Sequence, residues 1–159
     1  MKLRILLAGC SLWLSASLAA AEELPGRAAS PLGRWVTSSG NLEVDVAPCG
    51  KALCGTVVRV LANRSMSRAG DEMKPADSRD PLGMQILSDF VPTEFRGARA
   101  EEPTEWKGTI YNRENAKTYR CIMWISNAGE LMLRGYVGLS WFGRTSAWAR
   151  PEVALGEAR

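Results

Sequence analysis

The stretch LEVDVAPCGKALCGTVVRV, residues 42–60, decides the fold of this 159-residue chain. In its first half, apolar residues from Leu42 to Val46 alternate with Glu43 and Asp45. This period of two predicts a β-strand with one buried face and one face in water. After a turn, the second half continues the alternation through Thr56, Val58 and Val60. The stretch is therefore predicted to form an antiparallel hairpin.

Two later segments show the same rhythm on either side of the turn Asn127–Gly129. The first alternating series is Tyr119, Cys121, Met123 and Ile125, and the second is Leu131, Leu133, Gly135, Val137 and Leu139. Strands recur roughly every eight to fifteen residues, which is typical of an antiparallel sandwich or barrel. Because closure removes exposed sheet edges, we predict an all-β, single-domain antiparallel barrel of about eight or more strands.

The N-terminus has the pattern of an export signal. Lys2 and Arg4 precede an apolar stretch from Ile5 to about Leu18, and small residues follow up to Ala21. We expect cleavage after Ala21 and a periplasmic or secreted protein. The alternative is a lipoprotein acylated at Cys10, because residues 7–10 match a lipobox. That leader would have an apolar region shorter than the usual 7–15 residues, so the cleaved form is favoured.

These boundaries divide the chain into four parts. Residues 1–21 are the predicted signal peptide, and residues 22–32 form a flexible lead-in. The barrel is expected over residues 33–151, and residues 152–159 form a frayed tail.

Three cysteines lie outside the leader. In an oxidising compartment, Cys49 and Cys54 are expected to form a disulfide across the tip of the hairpin. A redox pair is the alternative, but the spacing is not the two-residue gap of thioredoxin-like sites. Cys121 is left without a partner and is expected to be a small buried apolar residue rather than a reactive thiol.

Composition restricts the chemistry. The chain has no histidine, which removes Ser-His-Asp catalysis, Cys-His catalysis and histidine metal ligands. Loss of Lys2 and Arg4 lowers Lys+Arg from 20 to 18 against 17 Asp+Glu, so the net charge is about +1. Such a balance does not suggest a nucleic-acid partner, and no later segment is long and apolar enough for a transmembrane helix. We expect a protein that is not an enzyme and needs no cofactor.

One segment interrupts the strand pattern. Residues 61–82 are polar and mix basic with acidic side chains. A connection this long is either a lid over a site or a solvated insertion. Its carboxylates, Asp71, Glu72, Asp77 and Asp80, do not match the spacing of a calcium loop, so no metal site is expected.

Motifs at both ends of the predicted domain resemble lipocalin-like barrels. Gly33-Arg34-Trp35 resembles their early Gly-x-Trp strand, and Trp148-Ala149-Arg150 resembles their last strand. The resemblance implies that Gly33, Trp35, Trp148 and Arg150 form a structural floor, with the arginine over the first tryptophan.

The segments between these motifs resemble a secreted bacterial family, DUF2147 (domain of unknown function). The matching segments are Leu53–Val58, Pro81–Leu87, Trp106–Tyr111, Lys117–Tyr119, Leu133–Gly138 and Phe142–Thr145. The resemblance covers Gly33 to Arg150 and implies a lipocalin-like, calycin-like barrel with no established activity to transfer. One hairpin departs from the family pattern, because Arg113 and Ala116 replace a proline and a glycine. Asn115 is expected to take the left-handed turn position there.

Several side chains are candidates for ligand binding: Tyr119, Trp124, Arg134, Tyr136 and Arg144. Arg134 and Arg144 could recognise an anionic head group at the mouth of the barrel. For Arg144, pairing with a carboxylate and bracing the floor is an alternative that we weigh more heavily. Trp141 and Phe142 are adjacent, so one of them is expected to face outward from a strand, as a possible contact with a partner or a membrane surface.

Together these features predict an exported, non-catalytic barrel that binds a small, partly apolar ligand. Apolar inner positions such as Val44, Val58, Met123 and Leu133 would line the site. The alternative is a cell-envelope interaction or structural module with a filled barrel, which binds a protein partner and no ligand.

Overall fold

The computed structural model describes residues 30–96 and 102–152. The strands are β1 (Gly33–Val36), β2 (Leu42–Cys49), β3 (Ala52–Val60), β4 (Gln85–Arg96), β5 (Glu102–Asn112), β6 (Lys117–Ile125), β7 (Leu131–Tyr136) and β8 (Arg144–Trp148). One turn of 3₁₀ helix, Ser140–Phe142, lies between β7 and β8. The described residues contain no helix with the length and apolarity that crossing a membrane requires. The predicted signal peptide, residues 22–29 of the predicted lead-in and residues 153–159 of the predicted tail lie outside the described residues.

The eight strands form one antiparallel sheet in which each strand pairs with the next along the chain. The sheet nearly closes on itself, because Val36 at the end of β1 bridges to Ala149 just after β8. The backbone N–H of Val36 donates to the Ala149 carbonyl at 2.8 Å, and the reverse hydrogen bond measures 3.2 Å. The predicted single antiparallel β-barrel is confirmed.

The two ends of the barrel differ. The floor end carries the residues before β1, the turn between β2 and β3, and the residues after β8. The mouth end carries the connections that follow β1, β3, β5 and β7. By far the longest of these described connections, here called the mouth loop, spans residues 61–84.

Large apolar side chains pack the floor half of the barrel. Met123 and Leu133 face each other across β6 and β7 and are almost fully buried, as the alternation in both strands predicts. The packed side chains include Trp35, Val44, Val46, Val57, Leu87, Phe90, Trp106, Cys121, Met123, Leu131, Leu133 and Trp148. The indole N–H of Trp35 donates to the Pro31 carbonyl at 2.8 Å, so its one polar group is satisfied inside the core.

The expected inward position of Val58 is wrong. Glu43 pairs with Arg59 while the next residue, Val44, pairs with Val57, so Val58 is an extra residue in β3. A bulge of this kind reverses the alternation that follows it. Val57 is therefore the core residue, Val58 is half-buried, and Val60 is exposed.

The predicted alternation in β7 extends too far. The strand ends at Tyr136, and Val137 and Leu139 are exposed in the connection to the 3₁₀ helix. Trp141 and Phe142 lie in that helix rather than in a strand, so both rings face solvent, whereas the sequence predicted one.

The hairpin between β5 and β6 also differs from expectation. Ala116, and not Asn115, has the left-handed backbone, with φ of 54°. The Asn115 side chain instead accepts a hydrogen bond from the Lys117 N–H and donates one to the Tyr119 hydroxyl. An alanine thus occupies the position where the family pattern has glycine.

The cysteines follow the prediction. Cys49 and Cys54 form the disulfide that ties the end of β2 to the start of β3. Cys121 is free and buried, and burial raises the pKa of its thiol to about 12. The thiolate is therefore scarce at neutral pH, which makes Cys121 a poor nucleophile.

Candidate ligand-binding site

The mouth half of the barrel is hollow. A cavity of about 1100 Å³ opens at the mouth and reaches down to Trp148. Side-chain size explains the change from packed to hollow. At the bottom of β7 and β8 Leu131 pairs with Trp148, whereas near the top Gly135, which has no side chain, pairs with Arg144, and both of these residues line the cavity.

Much of the cavity wall is apolar. The apolar side chains come from several strands and from the mouth loop, and the main contributors are Leu42, Met73, Met84, Ile86, Ile110 and Leu133. Met73 is nine-tenths buried although it belongs to a polar loop. The cavity can therefore accept an apolar group against these walls.

The mouth loop is fastened to the β1–β2 turn by Asn41, whose side chain is buried. The Asn41 amide donates to the Arg64 carbonyl and accepts from the Arg64 N–H, both at 2.8 Å. The Asn41 carbonyl also accepts hydrogen bonds from the N–H groups of Leu61 and Ala62. Four hydrogen bonds thus fix the start of the loop at the rim.

Glu114 fastens the same loop to the β5–β6 hairpin. Its carboxylate accepts hydrogen bonds from the Ser65 hydroxyl at 2.6 Å, the Ser67 hydroxyl at 2.8 Å and the Met66 N–H at 3.0 Å. These bonds, that of Ser65 foremost, hold the pKa of Glu114 below its ordinary value. The long polar connection predicted over residues 61–82 is therefore held in place by hydrogen bonds and forms part of the rim of the cavity.

A third fastening joins the end of the loop to β5. The Asp77 carboxylate accepts hydrogen bonds from the Arg79 guanidinium and, at 2.6 Å, from the Tyr111 hydroxyl. The Arg79 hydrogen bond, followed by that of Tyr111, lowers the pKa of Asp77 well below its ordinary value. The same contact with Asp77 raises the pKa of Tyr111.

The described residues contain no group of three or more cysteine, aspartate or glutamate side chains that could hold a metal ion.

The rim carries more cations than carboxylates. Four of the lining side chains are basic, namely Arg68, Lys74, Arg113 and Arg144, and Glu114 is acidic. Arg68 pairs with Asp71, and Arg113 donates to the Arg79 carbonyl. Within the described part of the chain, the side chains of Lys74 and Arg144 make no hydrogen bond or ion pair. The cavity therefore combines apolar walls with free cationic groups at its opening.

The structure separates the five predicted ligand-binding residues into two groups. Tyr119 and Arg144 line the cavity. Trp124, Arg134 and Tyr136 do not, because they alternate with the buried residues of β6 and β7 and lie on the outer face. Arg144 lies at the mouth, and its side chain has no partner among the residues that the structure describes, so the alternative in which it braces the floor is wrong.

Arg134 has a different task from the one predicted. Its guanidinium donates to the Ser140 carbonyl at 2.6 Å, to the Trp141 carbonyl at 2.8 Å and to the Thr145 hydroxyl at 2.8 Å. These bonds fix the connection between β7 and β8. All three nitrogens of the guanidinium thus donate hydrogen bonds within the protein.

Sequence reasoning missed the contribution of the mouth loop. Met73, Lys74 and Met84 line the cavity but were not candidates. The available signal was the presence of three methionines, Met66, Met73 and Met84, within and at the end of a polar segment. Flexible apolar side chains of this kind adapt well to irregular ligand surfaces.

An eight-stranded antiparallel barrel with one packed end and one hollow end defines a lipocalin-like protein. The structure is similar to protein HP1028 from Helicobacter pylori, which is described as belonging to the lipocalin family. The TM-score is 0.52 at 18% sequence identity, over 76% of this chain and 82% of the other. The likeness supports the fold alone. No curated protein sequence matches the chain.

The chain belongs to the DUF2147 family, described as uncharacterized protein conserved in bacteria. The family model matches residues 33–150, which is the whole barrel. The predicted family resemblance is confirmed.

Proposed function

We propose that this protein is a non-catalytic carrier that binds a small amphipathic molecule in the mouth half of the barrel. The apolar end of the ligand lies against Met84, Ile86 and Leu133, and an anionic end lies at Arg144. The observation that carries the proposal is the open cavity of about 1100 Å³ with apolar walls and an unpaired arginine at its rim. Known ligand pockets have comparable volumes, about 300–1,000 Å³.

The position of Arg144 supports an anionic group on the ligand. A guanidinium presents several N–H donors in one plane and binds a carboxylate or phosphate through two of them. Arg144 can bind an anion in this way and Lys74 adds a second positive charge, whereas the Glu114 carboxylate is already hydrogen-bonded to Ser65 and Ser67. The rim therefore attracts an anion rather than a cation.

The alternative, an interaction module with a filled barrel, is less well supported. A filled barrel needs large inward side chains at every level, but Gly135 and Ser146 occupy inward positions in β7 and β8. Ligand binding uses the space that they leave.

Export to the periplasm is part of the proposal and rests on the leader sequence. The Cys49–Cys54 disulfide supports an oxidising compartment. N-terminal sequencing of protein expressed in a bacterial host tests it. A mature chain that begins at Glu22 supports export by a cleaved signal, and a lipid-modified Cys10 contradicts it.

A fluorescence titration tests ligand binding. The probes are cis-parinaric acid, which carries a carboxylate, and its methyl ester, which does not. We expect Arg144→Gln to weaken binding of the acid about tenfold and to leave binding of the ester unchanged, since a hydrogen bond to a charged group contributes about 1.5–3 kcal/mol.

A second pair of variants tests the location of the probe. Ser146→Phe places a ring in the lumen and is expected to abolish binding of both probes. The matched control, Ala147→Phe, places the same ring one residue further along β8 on the outer face. Wild-type binding by Ser146→Phe, or failure of the wild-type protein to bind either probe, contradicts the proposal.

A further inference from the structure

The connection between β7 and β8 exposes an unusual amount of apolar surface. Four apolar side chains lie within the six residues Val137–Phe142, here called the apolar tip. Their exposed fractions are 75% for Val137, 55% for Leu139, 69% for Trp141 and 80% for Phe142. Four exposed apolar side chains within one short connection indicate an interaction surface.

The apolar tip is held in a fixed conformation rather than left loose. Arg134 binds the carbonyls of Ser140 and Trp141 from below, as described above. The Trp141 and Phe142 rings pack edge to face, with their centroids 6.2 Å apart. The surface is therefore formed before any partner arrives, which reduces the entropic cost of binding.

Charge around the apolar tip favours an anionic partner. From Leu131 to Pro151 the chain has no aspartate or glutamate, and it carries Arg134 and Arg144 on either side of the tip. Arg144 is unpaired within the described residues, and Lys74 lies at the same rim. The rings of tryptophan and phenylalanine beside basic residues suit the boundary between lipid head groups and acyl chains.

The position of the apolar tip links it to the cavity. Gly135 and Arg144, which flank the tip, both line the mouth of the cavity. Insertion of the tip into a lipid surface would bring the mouth against that surface. An amphipathic molecule could then pass between bilayer and barrel with little exposure to water.

We propose that the apolar tip docks this protein onto an anionic lipid bilayer, with the mouth of the barrel facing the membrane. The proposal rests on the tip and its charges and holds whether or not the cavity binds a ligand. The other candidate occupants of the tip are a second copy of this chain, which a dimer formed without lipid would indicate, and a protein partner, which a monomeric wild-type protein that binds neither vesicle type would indicate; either result overturns the proposal.

Co-sedimentation with lipid vesicles tests the proposal. We expect the wild-type protein to bind vesicles of phosphatidylethanolamine with phosphatidylglycerol, and to bind phosphatidylcholine vesicles at least about tenfold more weakly. Binding should also weaken at about 1 M salt, where the Debye length falls to about 3 Å. Equal binding to both vesicle types overturns the anionic assignment.

The double variant Trp141→Ser with Phe142→Ser removes the two exposed rings. Because each aromatic side chain can bury about 150–250 Å², we expect its vesicle binding to fall about tenfold or more. The matched control is Leu32→Ser, an exposed apolar residue at the floor end. It should bind vesicles like the wild-type protein.

Two further measurements make the result specific. The double variant should unfold at the same temperature as the wild-type protein and bind cis-parinaric acid equally well in solution, so that a loss of vesicle binding reports on the tip alone. Unchanged vesicle binding by the double variant overturns the proposal. So does a dimer in sedimentation that forms without lipid and is lost in the double variant, because the tip is then an interface between two copies.

Discussion

The guanidinium of Arg150 lies 3.6 Å from the centroid of the Trp35 ring, so a residue just after the last strand covers a residue of the first. Its Nη atoms donate to the carbonyls of Leu32 at 2.9 Å and Ser30 at 3.1 Å. Arg150 thereby binds the segment that leads into β1, beneath the bridge between Val36 and Ala149. The floor of the barrel and its closure depend on the same few residues.

Replacement of Trp35 by alanine is expected to lower the free energy of unfolding by about 3–5 kcal/mol, because the ring is buried and fills the floor. Arg150→Met keeps part of the aliphatic packing but loses the cation–π contact and the hydrogen bonds. We expect it to cost about 1–2 kcal/mol. Urea unfolding followed by circular dichroism measures both. A Trp35→Ala variant as stable as the wild-type protein would remove Trp35 from the floor.

The disulfide offers a second prediction. Cys49→Ser with Cys54→Ser should lower the free energy of unfolding by about 2 kcal/mol, since the closed loop has only about six residues. The fold should persist, because the core does not depend on this turn. Reduction of the wild-type protein is the control and should reproduce the loss, as the buried Cys121 does not exchange. A much larger loss would mean that the disulfide also stabilises the folded state directly, in addition to restricting the conformations of the unfolded chain.

Acid should loosen the attachment of the mouth loop at Glu114. Its pKa is lower in the folded protein, so the folded state binds this proton less readily than the unfolded state. The stabilisation from Glu114 is therefore complete above its ordinary pKa near 4.5 and is lost as the pH falls through the folded pKa. The wild-type protein should be more stable than Glu114→Gln at pH 7, and the difference should shrink as the pH falls below 4.5.

Thermal unfolding at a series of pH values checks this expectation. The control is Glu72→Gln, which alters another carboxylate of the same loop whose side chain makes no hydrogen bond within the described residues. It should unfold like the wild-type protein throughout the series. A constant difference between wild type and Glu114→Gln at every pH would show that the carboxylate charge does not hold the loop.

Alternation in the sequence was sufficient for the barrel and for the inner rows of β6 and β7, because burial imposes a period of two on such strands. It failed at Val58, because a bulge depends on pairing with β2 and leaves no mark in the composition of β3. It failed at Val137 and Leu139 because apolar side chains can alternate in a surface connection as well as in a strand.

The candidate site could be predicted only in part. Arg144 and Tyr119 follow from the alternation of β8 and β6, once the inner face is known. Arg134 and Tyr136 have residue types that suit ligand contacts, but they alternate with Leu131, Leu133 and Gly135 and so lie on the outer face, which the same alternation already indicates. The role of Glu114 depends on a contact with Ser65 nearly fifty residues away in the chain, which no local pattern encodes.

The left-handed backbone at Ala116 leads to a prediction opposite to the usual rule. Alanine to glycine normally destabilises a protein, because glycine gains more freedom on unfolding. At φ of 54°, however, the alanine Cβ is strained by about 1–2 kcal/mol, and glycine is not. Ala116→Gly should therefore raise the free energy of unfolding by up to about 1 kcal/mol.

The matched control is Ala147→Gly in β8, which should lower the free energy of unfolding. Urea unfolding of the two variants under the same conditions decides the matter, and a loss of stability in both would mean that the β5–β6 turn does not hold Ala116 in this conformation in solution.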